Sequence, residues 1–259
     1  MRQLLPPAPG AGQSSLDPAA ISRLYAYPPG AGPWVRGNMV GSLDGAAAVD
    51  GLSGGLSSPA DRQLFWILRG LADVILVGAG TARAEGYRAT RGGDNWAELG
   101  LRAGRPAAPP VALVSRSLSL DPGAPLIAQA PADARTIVIT CQSSPADRRK
   151  ELSAVADVIM AGDESVDLSE AVAALASRGL GKILCEGGPR LLADITTAGL
   201  LAELCLTLSP VLAGSEPVRV LASSARPGPD AFHARRLQLS HLLEEDGVLF
   251  ARYQPAQDT

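Results

Sequence analysis

Apolar residues in this chain fall into short unbroken runs separated by polar, glycine-rich punctuation, and only toward the C-terminal end do they alternate with polar ones. Residues 73–77 (Asp-Val-Ile-Leu-Val), 111–114, 136–140, 157–160 and 183–185 are runs of the first kind. This is the pattern of parallel strands covered on both faces. Residues 34–40 read as the first strand. Helix signals lie between the runs. Ser58-Pro59-Ala60-Asp61 offers an N-cap, a proline at the first helical position and an acid facing the positive helix end, and Leu64, Phe65, Ile67, Leu68 and Leu71 supply an apolar face. Ser144-Pro145-Ala146-Asp147 repeats that start. Asp167-Leu168-Ser169-Glu170 forms a capping box ahead of Ala171, Val172, Ala174 and Leu175, closed by Gly179. Another helix runs from Pro189 to about Thr197. Strands alternating with helices at this spacing predict a three-layer α/β fold with a largely parallel central sheet. Near the end, Leu204, Leu206 and Leu208 alternate with polar neighbours, and residues 237–243 and 248–253 flank Glu244-Glu245-Asp246-Gly247. These are hairpin signals, so the C-terminal strands are expected to be antiparallel.

The remaining stretches read as loops. Residues 1–33 hold Pro6-Pro7, Pro9-Gly10, Pro28-Pro29 and Gly32-Pro33 around a short helix signal at 17–25, and read as an arm on a single domain spanning 34–259. Residues 41–57, rich in Gly, Ala and Ser, are too small-sided for a core of their own and read as a mobile loop over a site. Residues 92–110 read as a flexible, glycine-rich segment. The 259 residues, 46% of them hydrophobic, are ample for a buried core. A net charge of -3 argues against nucleic acid or an anionic membrane as the main partner. Cys141, Cys185 and Cys205 stand in no C-x-x-C spacing and read as core thiols of a reducing, cytoplasmic compartment. With only His233 and His241 and no Cys/His cluster, no catalytic metal is expected. No apolar stretch approaches ~18 residues, so no membrane span is expected, and no signal peptide is read at the start.

Chemistry concentrates at strand ends. Gly187 and Gly188, between the strand ending at Cys185 and the helix opening at Pro189, let backbone N–H groups approach a phosphate, and Glu186 stands at the carboxyl end of the strand. A tight turn with a solvated acid is the alternative. Gly78-Ala79-Gly80-Thr81 is a second such joint, in which Thr81 either caps the next helix or bonds a phosphate oxygen. Arg83 stands where a G-x-G-x-x-G fingerprint needs its last glycine, so the Rossmann fold is not supported. Ser115-Arg116-Ser117 ends another strand with hydroxyls and a guanidinium, suited to a nucleotide 2′-phosphate or equally to a surface loop. Asp44, before Gly45, is either an Asx-turn residue or part of a site.

Taken in order, Ser42-Leu43-Asp44-Gly45, Ser57-Ser58-Pro59 with Arg69, Gly78-Ala79-Gly80-Thr81 with Glu85, and Glu186-Gly187-Gly188-Pro189 resemble the reductase domain of the bifunctional riboflavin-biosynthesis deaminase/reductase family, over roughly residues 34–253. The resemblance implies a dihydrofolate-reductase-like fold, a homodimer, and NADPH-dependent reduction of the ribosyl group of 5-amino-6-(5-phosphoribosylamino)uracil to ribityl. It places the cofactor against Ala48, Gly78, Gly80, Thr81, Glu85, Ser115, Arg116, Ser117, Gly187, Gly188, Pro189, Arg190 and Leu191. It places the substrate against Ser53, Arg69, Glu186 and an arginine after the Thr81 motif, Arg88 or Arg91. No zinc-deaminase signature is present, so a stand-alone reductase-type chain is expected.

One departure bears on substrate. The family follows Asp-Gly with Lys or Arg, where this chain has Ala46, and a lost charged hydrogen bond of about 1.5–3 kcal/mol has to be recovered elsewhere. A dihydropterin such as dihydrofolate therefore stays open as substrate, as does a non-catalytic NADPH-binding protein. A flavodoxin-like phosphate-binding module is disfavoured by the antiparallel C-terminal hairpin. Hydride chemistry belongs to the nicotinamide, and the proton is left to Asp44 or Glu186, whose pKa values rise if a closed loop desolvates them.

Overall fold

Where the sequence carries β-branched apolar runs the chain forms strands, numbered here in chain order: β1 (Arg2–Leu5), β2 (Trp34–Ser42), β3 (Val74–Gly78), β4 (Val111–Val114), β5 (Ile137–Thr140), β6 (Asp157–Met160), β7 (Lys182–Cys185), β8 (Leu201–Ser209), β9 (Leu237–Glu245) and β10 (Val248–Pro255). The helices are α1 (Pro18–Leu24), α2 (Pro59–Leu71), α3 (Ala79–Ala84), α4 (Asp94–Glu98), α5 (Pro125–Ala128), α6 (Ala146–Ser153), α7 (Leu168–Ser177) and α8 (Pro189–Thr197). The structure, a computed structural model, describes residues 1–6, 15–30, 32–92, 94–214, 218–222 and 234–256. Two compact units are present. The first comprises Met1–Ala26, Val35–Leu68 and Pro189–Thr259, and the second Tyr27–Trp34 and Arg69–Gly188.

In the second unit the strand order is β7-β3-β4-β5-β6, every neighbour parallel. Ile75, Val77, Ala82, Val111, Leu113 and Leu126 form a core against which Tyr87 packs. Because the strands run the same way, their carboxyl ends share one edge, where open α/β sheets place ligands.

In the first unit the order is β1-β9-β10-β8-β2, antiparallel except for β2 with β8. Asp246 (φ 52°) and Gly247 (φ 79°) make the two-residue left-handed turn that joins β9 to β10. Within this unit an ion cluster is buried. Glu203 lies fully buried between Arg36 and Arg252, and those guanidiniums also donate to the carbonyls of Tyr25 and Leu24. The cluster ties the end of α1 to β2, β8 and β10. His241 packs edge-on to the Tyr25 ring, centroids 4.6 Å apart.

Several sequence expectations meet the structure well. Ser58 caps α2 through the Asp61 N–H (3.0 Å), and Asp167 caps α7 through the N–H groups of Ser169 and Glu170. All three cysteines are buried and unpaired with one another, and no helix among the described residues is long and apolar enough to cross a membrane. Others are corrected. The N-terminal arm contains a strand, β1, which pairs with β9 at the sheet edge; the calls on residues 7–14 and 31 lie outside the described residues, as does His233. Ser144 does not cap α6, because its hydroxyl donates to the Cys141 carbonyl (2.6 Å) and the helix starts one residue later. Residues 92–110 are not a loose linker. Trp96 is buried against Gly70, where a side chain's first carbon would lie 2.7 Å from the indole nitrogen. Arg102 donates to Ala72 and Pro106 carbonyls, and Arg105 to those of Gly70, Leu71 and Ala72 and to the Asp73 carboxylate (2.9 Å). These guanidiniums satisfy the open carbonyls at the end of α2. Residues 41–57 are likewise anchored: Ala46, Ala47 and Leu56 are buried, and the Ala47 N–H donates to the Val218 carbonyl (2.7 Å).

The buried cluster generates a pH prediction. Burial first and the Arg252 charge second lower His241 to about 4, with Glu203 acting against and Arg36 adding to the fall. The folded state therefore holds His241 neutral while the unfolded chain binds a proton below about 6.5, so stability is fully present above that value and declines as pH falls toward 4. The loss is on the order of 3 kcal/mol. Denaturant titrations at pH 7 and pH 4.5 should show a smaller decline for His241→Phe than for the wild type.

Candidate active site

Two glycine joints lie side by side at the carboxyl edge of the second unit. β3 ends at Gly78 and α3 opens at the next residue, while β7 runs into Glu186, Gly187 and Gly188, and the Gly78 N–H donates to the Gly187 carbonyl (2.8 Å). A first side-chain carbon on Gly188 would stand 2.3 Å from Thr81 Oγ1. The Thr81 hydroxyl thus occupies the space that a side chain at 188 would take. Thr81 lies within α3 rather than capping it, since Gly78 holds the N-cap position, and its hydroxyl is turned to Gly188. Gly80 is exposed, with open space where a side chain would begin, and Glu85 is the C-cap of α3.

Glu186 is 7% exposed and its carboxylate accepts three hydrogen bonds. Arg69, in the last turn of α2, donates through Nε to Oε1 and through Nη2 to Oε2, each at 2.7 Å, and the Tyr87 hydroxyl donates to Oε2 at 2.7 Å. The Arg69 guanidinium also lies 5.4 Å from the centre of the Tyr87 ring. Burial acts to lower the Arg69 pKa, but the charge of Glu186 and its hydrogen bonds outweigh it and the net shift is upward. Burial, reinforced by the Glu186 charge, raises the Tyr87 hydroxyl well above its ordinary value. Tyr87 is placed by the end of α3. Gly86 takes φ 63°, its N–H reaches the Arg83 carbonyl, and the Tyr87 N–H bonds Ala82 (2.8 Å), a Schellman ending.

Beside the joints opens a cavity of about 480 Å³ lined by Ala79, Gly80, Arg83, Ser115, Arg116, Ser117 and Ser143 among others. Two guanidiniums and several hydroxyls face it, and no carboxylate lines it. Arg83 is steadied by the Ser119 carbonyl (2.9 Å), and the Ser115 hydroxyl accepts from the Leu118 N–H (3.1 Å). Arg88 and Arg91 are both exposed; Arg88 borders a separate apolar cavity of about 310 Å³ that Tyr87, Leu113 and Leu126 also line.

Other expected residues belong to the first unit. Asp44 is exposed, and its carboxylate accepts from the Ser42 hydroxyl (2.5 Å) and from the N–H groups of Ala213 (3.1 Å) and Gly214 (3.0 Å). The condition for an upward shift, desolvation by a closed loop, is not met at exposed Asp44: the Ser42 hydroxyl foremost, with the Ala213 N–H, pulls it down to about 2. Its geometry is that of a loop anchor. Ala46 is fully buried, with its N–H on Ser42 Oγ (2.8 Å), and forms a backbone bridge with Arg219. Ala48 and Ser53 are half-buried, the latter opening a short 3-10 turn. Pro189 opens α8, followed by exposed Arg190 and buried Leu191.

Sequence reading passed over Arg83, Tyr87 and Ser143 as site residues. Arg83 entered only as a break in a glycine fingerprint, although it lies one turn beyond Ala79 on α3. Tyr87 carried a usable signal in Gly86, a helix-ending glycine that fixes where the next side chain points.

A parallel sheet with paired glycine joints, a buried carboxylate–guanidinium pair and an arginine–serine cavity defines an α/β protein suited to a phosphorylated nucleotide. The chain belongs to the RibD C-terminal domain family, whose profile matches residues 33–244. It is 30% identical over 226 residues to the 2,5-diamino-6-ribosylamino-4(3H)-pyrimidinone 5′-phosphate reductase of Methanothermobacter thermautotrophicus, covering 84% of this chain and 96% of that protein. Against the reductase of the same name from Archaeoglobus fulgidus it is 28% identical over 184 residues, 70% of this chain and 82% of the other. A pyrimidine reductase-like protein from Corynebacterium diphtheriae superposes with a TM-score of 0.78 at 30% identity, covering 87% of this chain and 93% of its own. RibD of Acinetobacter baumannii shares the fold, with a TM-score of 0.66 at 20% identity over 87% of this chain and 59% of that one.

The glycine joint yields a direct test. Gly188→Ala should destabilise the protein by about 1–3 kcal/mol in urea titrations, because the new methyl meets Thr81 Oγ1. Adding Thr81→Ala removes that oxygen and should recover most of the loss; no recovery in the double variant would show that the strain lies elsewhere.

Proposed function

We propose that this chain is an NADPH-dependent reductase that converts the ribosyl group of a ribosylaminopyrimidine 5′-phosphate to ribityl. The observation that carries the cofactor assignment is the arginine–serine cavity that opens at Ala79 and Gly80, on the glycine joint whose Thr81 stands against Gly188. The residues fit the group. Gly78, Gly80, Thr81, Gly187 and Gly188 present backbone and a hydroxyl to a pyrophosphate, and Arg116, Arg83, Ser115 and Ser117 offer charge-assisted bonds to a 2′-phosphate. Glu85, Ala48, Pro189, Arg190 and Leu191 take the cofactor contacts that the family resemblance implies. When bound, NADPH supplies a hydride.

Reduction breaks the C1′–O4′ bond: net, one hydride goes to C1′ and one proton to O4′, which becomes the 4′-hydroxyl, while the attached nitrogen keeps its N–H, opening the sugar to a ribityl chain. Arg69 and Glu186 bind and orient the substrate, Ser53 contributes a hydroxyl, and Arg88 or Arg91 pairs with the 5′-phosphate. Asp44, held near 2, is ionised at neutral pH and acts on the loop that it anchors rather than as the proton donor. The names of the two curated relatives favour the diaminopyrimidinone over the deaminated uracil as substrate. The same reading places the enzyme in the cytoplasm, where its buried free thiols suit a reducing medium, as a homodimer like the family it resembles.

The test is oxidation of NADPH with each of the two pyrimidines and with dihydrofolate, the product identified by mass spectrometry. A ribityl product from a pyrimidine is expected. Turnover of dihydrofolate alone, or tight NADPH binding with no turnover, would overturn the substrate assignment. Cofactor choice is tested separately: Arg116→Ala should weaken NADPH by about tenfold or more and leave NADH nearly unchanged by calorimetry, since only the former carries the 2′-phosphate.

A further inference from the structure

We infer that Tyr87 is a positioning residue that decides which oxygen of Glu186 faces the substrate, an inference that rests on the substrate-binding role given to Glu186 above. A carboxylate offers about four lone-pair sites on two oxygens. Arg69 takes one on Oε1 and one on Oε2, and the Tyr87 hydroxyl takes the second on Oε2. Oε2 is thereby filled, and the open acceptor site belongs to Oε1. The carboxylate consequently presents a single acceptor in a fixed direction, which selects a ligand group that donates, such as a sugar hydroxyl or a ring amine. Without Tyr87 the bidentate pair with Arg69 would remain, but an acceptor site would open on Oε2 as well, and recognition would lose its direction.

The placement is built into the fold rather than left to a loose side chain. The Schellman ending of α3 sets the Tyr87 backbone, the ring packs on the core of Ile75, Val77 and Leu113, and the Arg69 guanidinium lies near its face. Only the hydroxyl reaches the carboxylate, and it also interacts with the Arg69 guanidinium. Tyr87→Phe therefore removes the hydroxyl's hold on the Arg69–Glu186 pair and keeps the packing.

Two measurements test the inference. In the first, steady-state kinetics with the diaminopyrimidine phosphate should show Tyr87→Phe raising KM by about tenfold with kcat changed less than threefold and NADPH affinity unaltered. On a Glu186→Gln background the same substitution should add little, because the two residues act as one unit. Equal effects on both backgrounds, or a loss confined to thermal stability and cofactor binding, would overturn the positioning role. In the second, which needs no turnover, the Arg69 Nε–H should exchange with solvent at least about tenfold faster in Tyr87→Phe by NMR, as the carboxylate loosens. Unchanged exchange would overturn the inference whatever the activity. Faster exchange in a protein that reduces no pyrimidine would support the positioning of Glu186 and count against the proposed function alone.

Discussion

A buried carboxylate is tolerable only when its lost hydration is replaced, and at Glu186 that constraint organises the second unit. Desolvating a carboxylate and a guanidinium costs several kcal/mol per ion, and good geometry with further hydrogen bonds is needed to offset it. The bidentate contact from Arg69 and the hydroxyl of Tyr87 meet this demand. In doing so they fix three pieces of chain against one another: the end of β7, the last turn of α2 and the exit from α3. The glycine joints then fall into place beside them, because β3 and β7 are parallel neighbours and Gly78 bonds Gly187 directly.

The first unit answers the same problem differently. Glu203 is shared by two arginines that also bond backbone carbonyls, so a net positive cluster is closed off from water by Tyr25, Cys205 and His241. Each carboxylate accepts one guanidinium bond on Oε1 and two bonds on Oε2; the difference lies in the donors, two arginines at Glu203 and one arginine with a tyrosine hydroxyl at Glu186.

Much of the fold was legible in the chain. Runs such as Val74 to Val77 and Ile183 to Cys185 have no alternation, and their shortness and flanking glycines mark them as covered strands, while Asp246-Gly247 names its own turn. The glycine pair and Thr81 were also readable, since a position that a neighbouring side chain fills leaves glycine as its trace. What failed to show was burial of a kind that composition conceals. Ala46 and Ala47 look like loop residues because they are small, yet they are buried through backbone bridges to distant chain. Trp96, Arg102 and Arg105 sit in a stretch dominated by glycine and proline, and their partners are carbonyls, which leave no signature in side-chain patterns. Arg83 and Tyr87 were missed because their importance depends on where a short helix ends, a matter of one residue in register. The acidity of Asp44 comes first from the Ser42 hydroxyl, within its own motif, and then from backbone amides of residues 213 and 214 that sequence does not place beside it.

The arginines that hold the end of α2 carry a consequence for how this protein tolerates change. Arg105 grips the carbonyls of Gly70, Leu71 and Ala72, immediately after Arg69, while Trp96 fills the space above Gly70. The segment from 92 to 110 is thus a brace whose load is borne one residue away from the guanidinium that meets Glu186. A change in this stretch would therefore act on the Arg69–Glu186 pair from outside it, through the carbonyls of residues 70–72, with both members of the pair left intact.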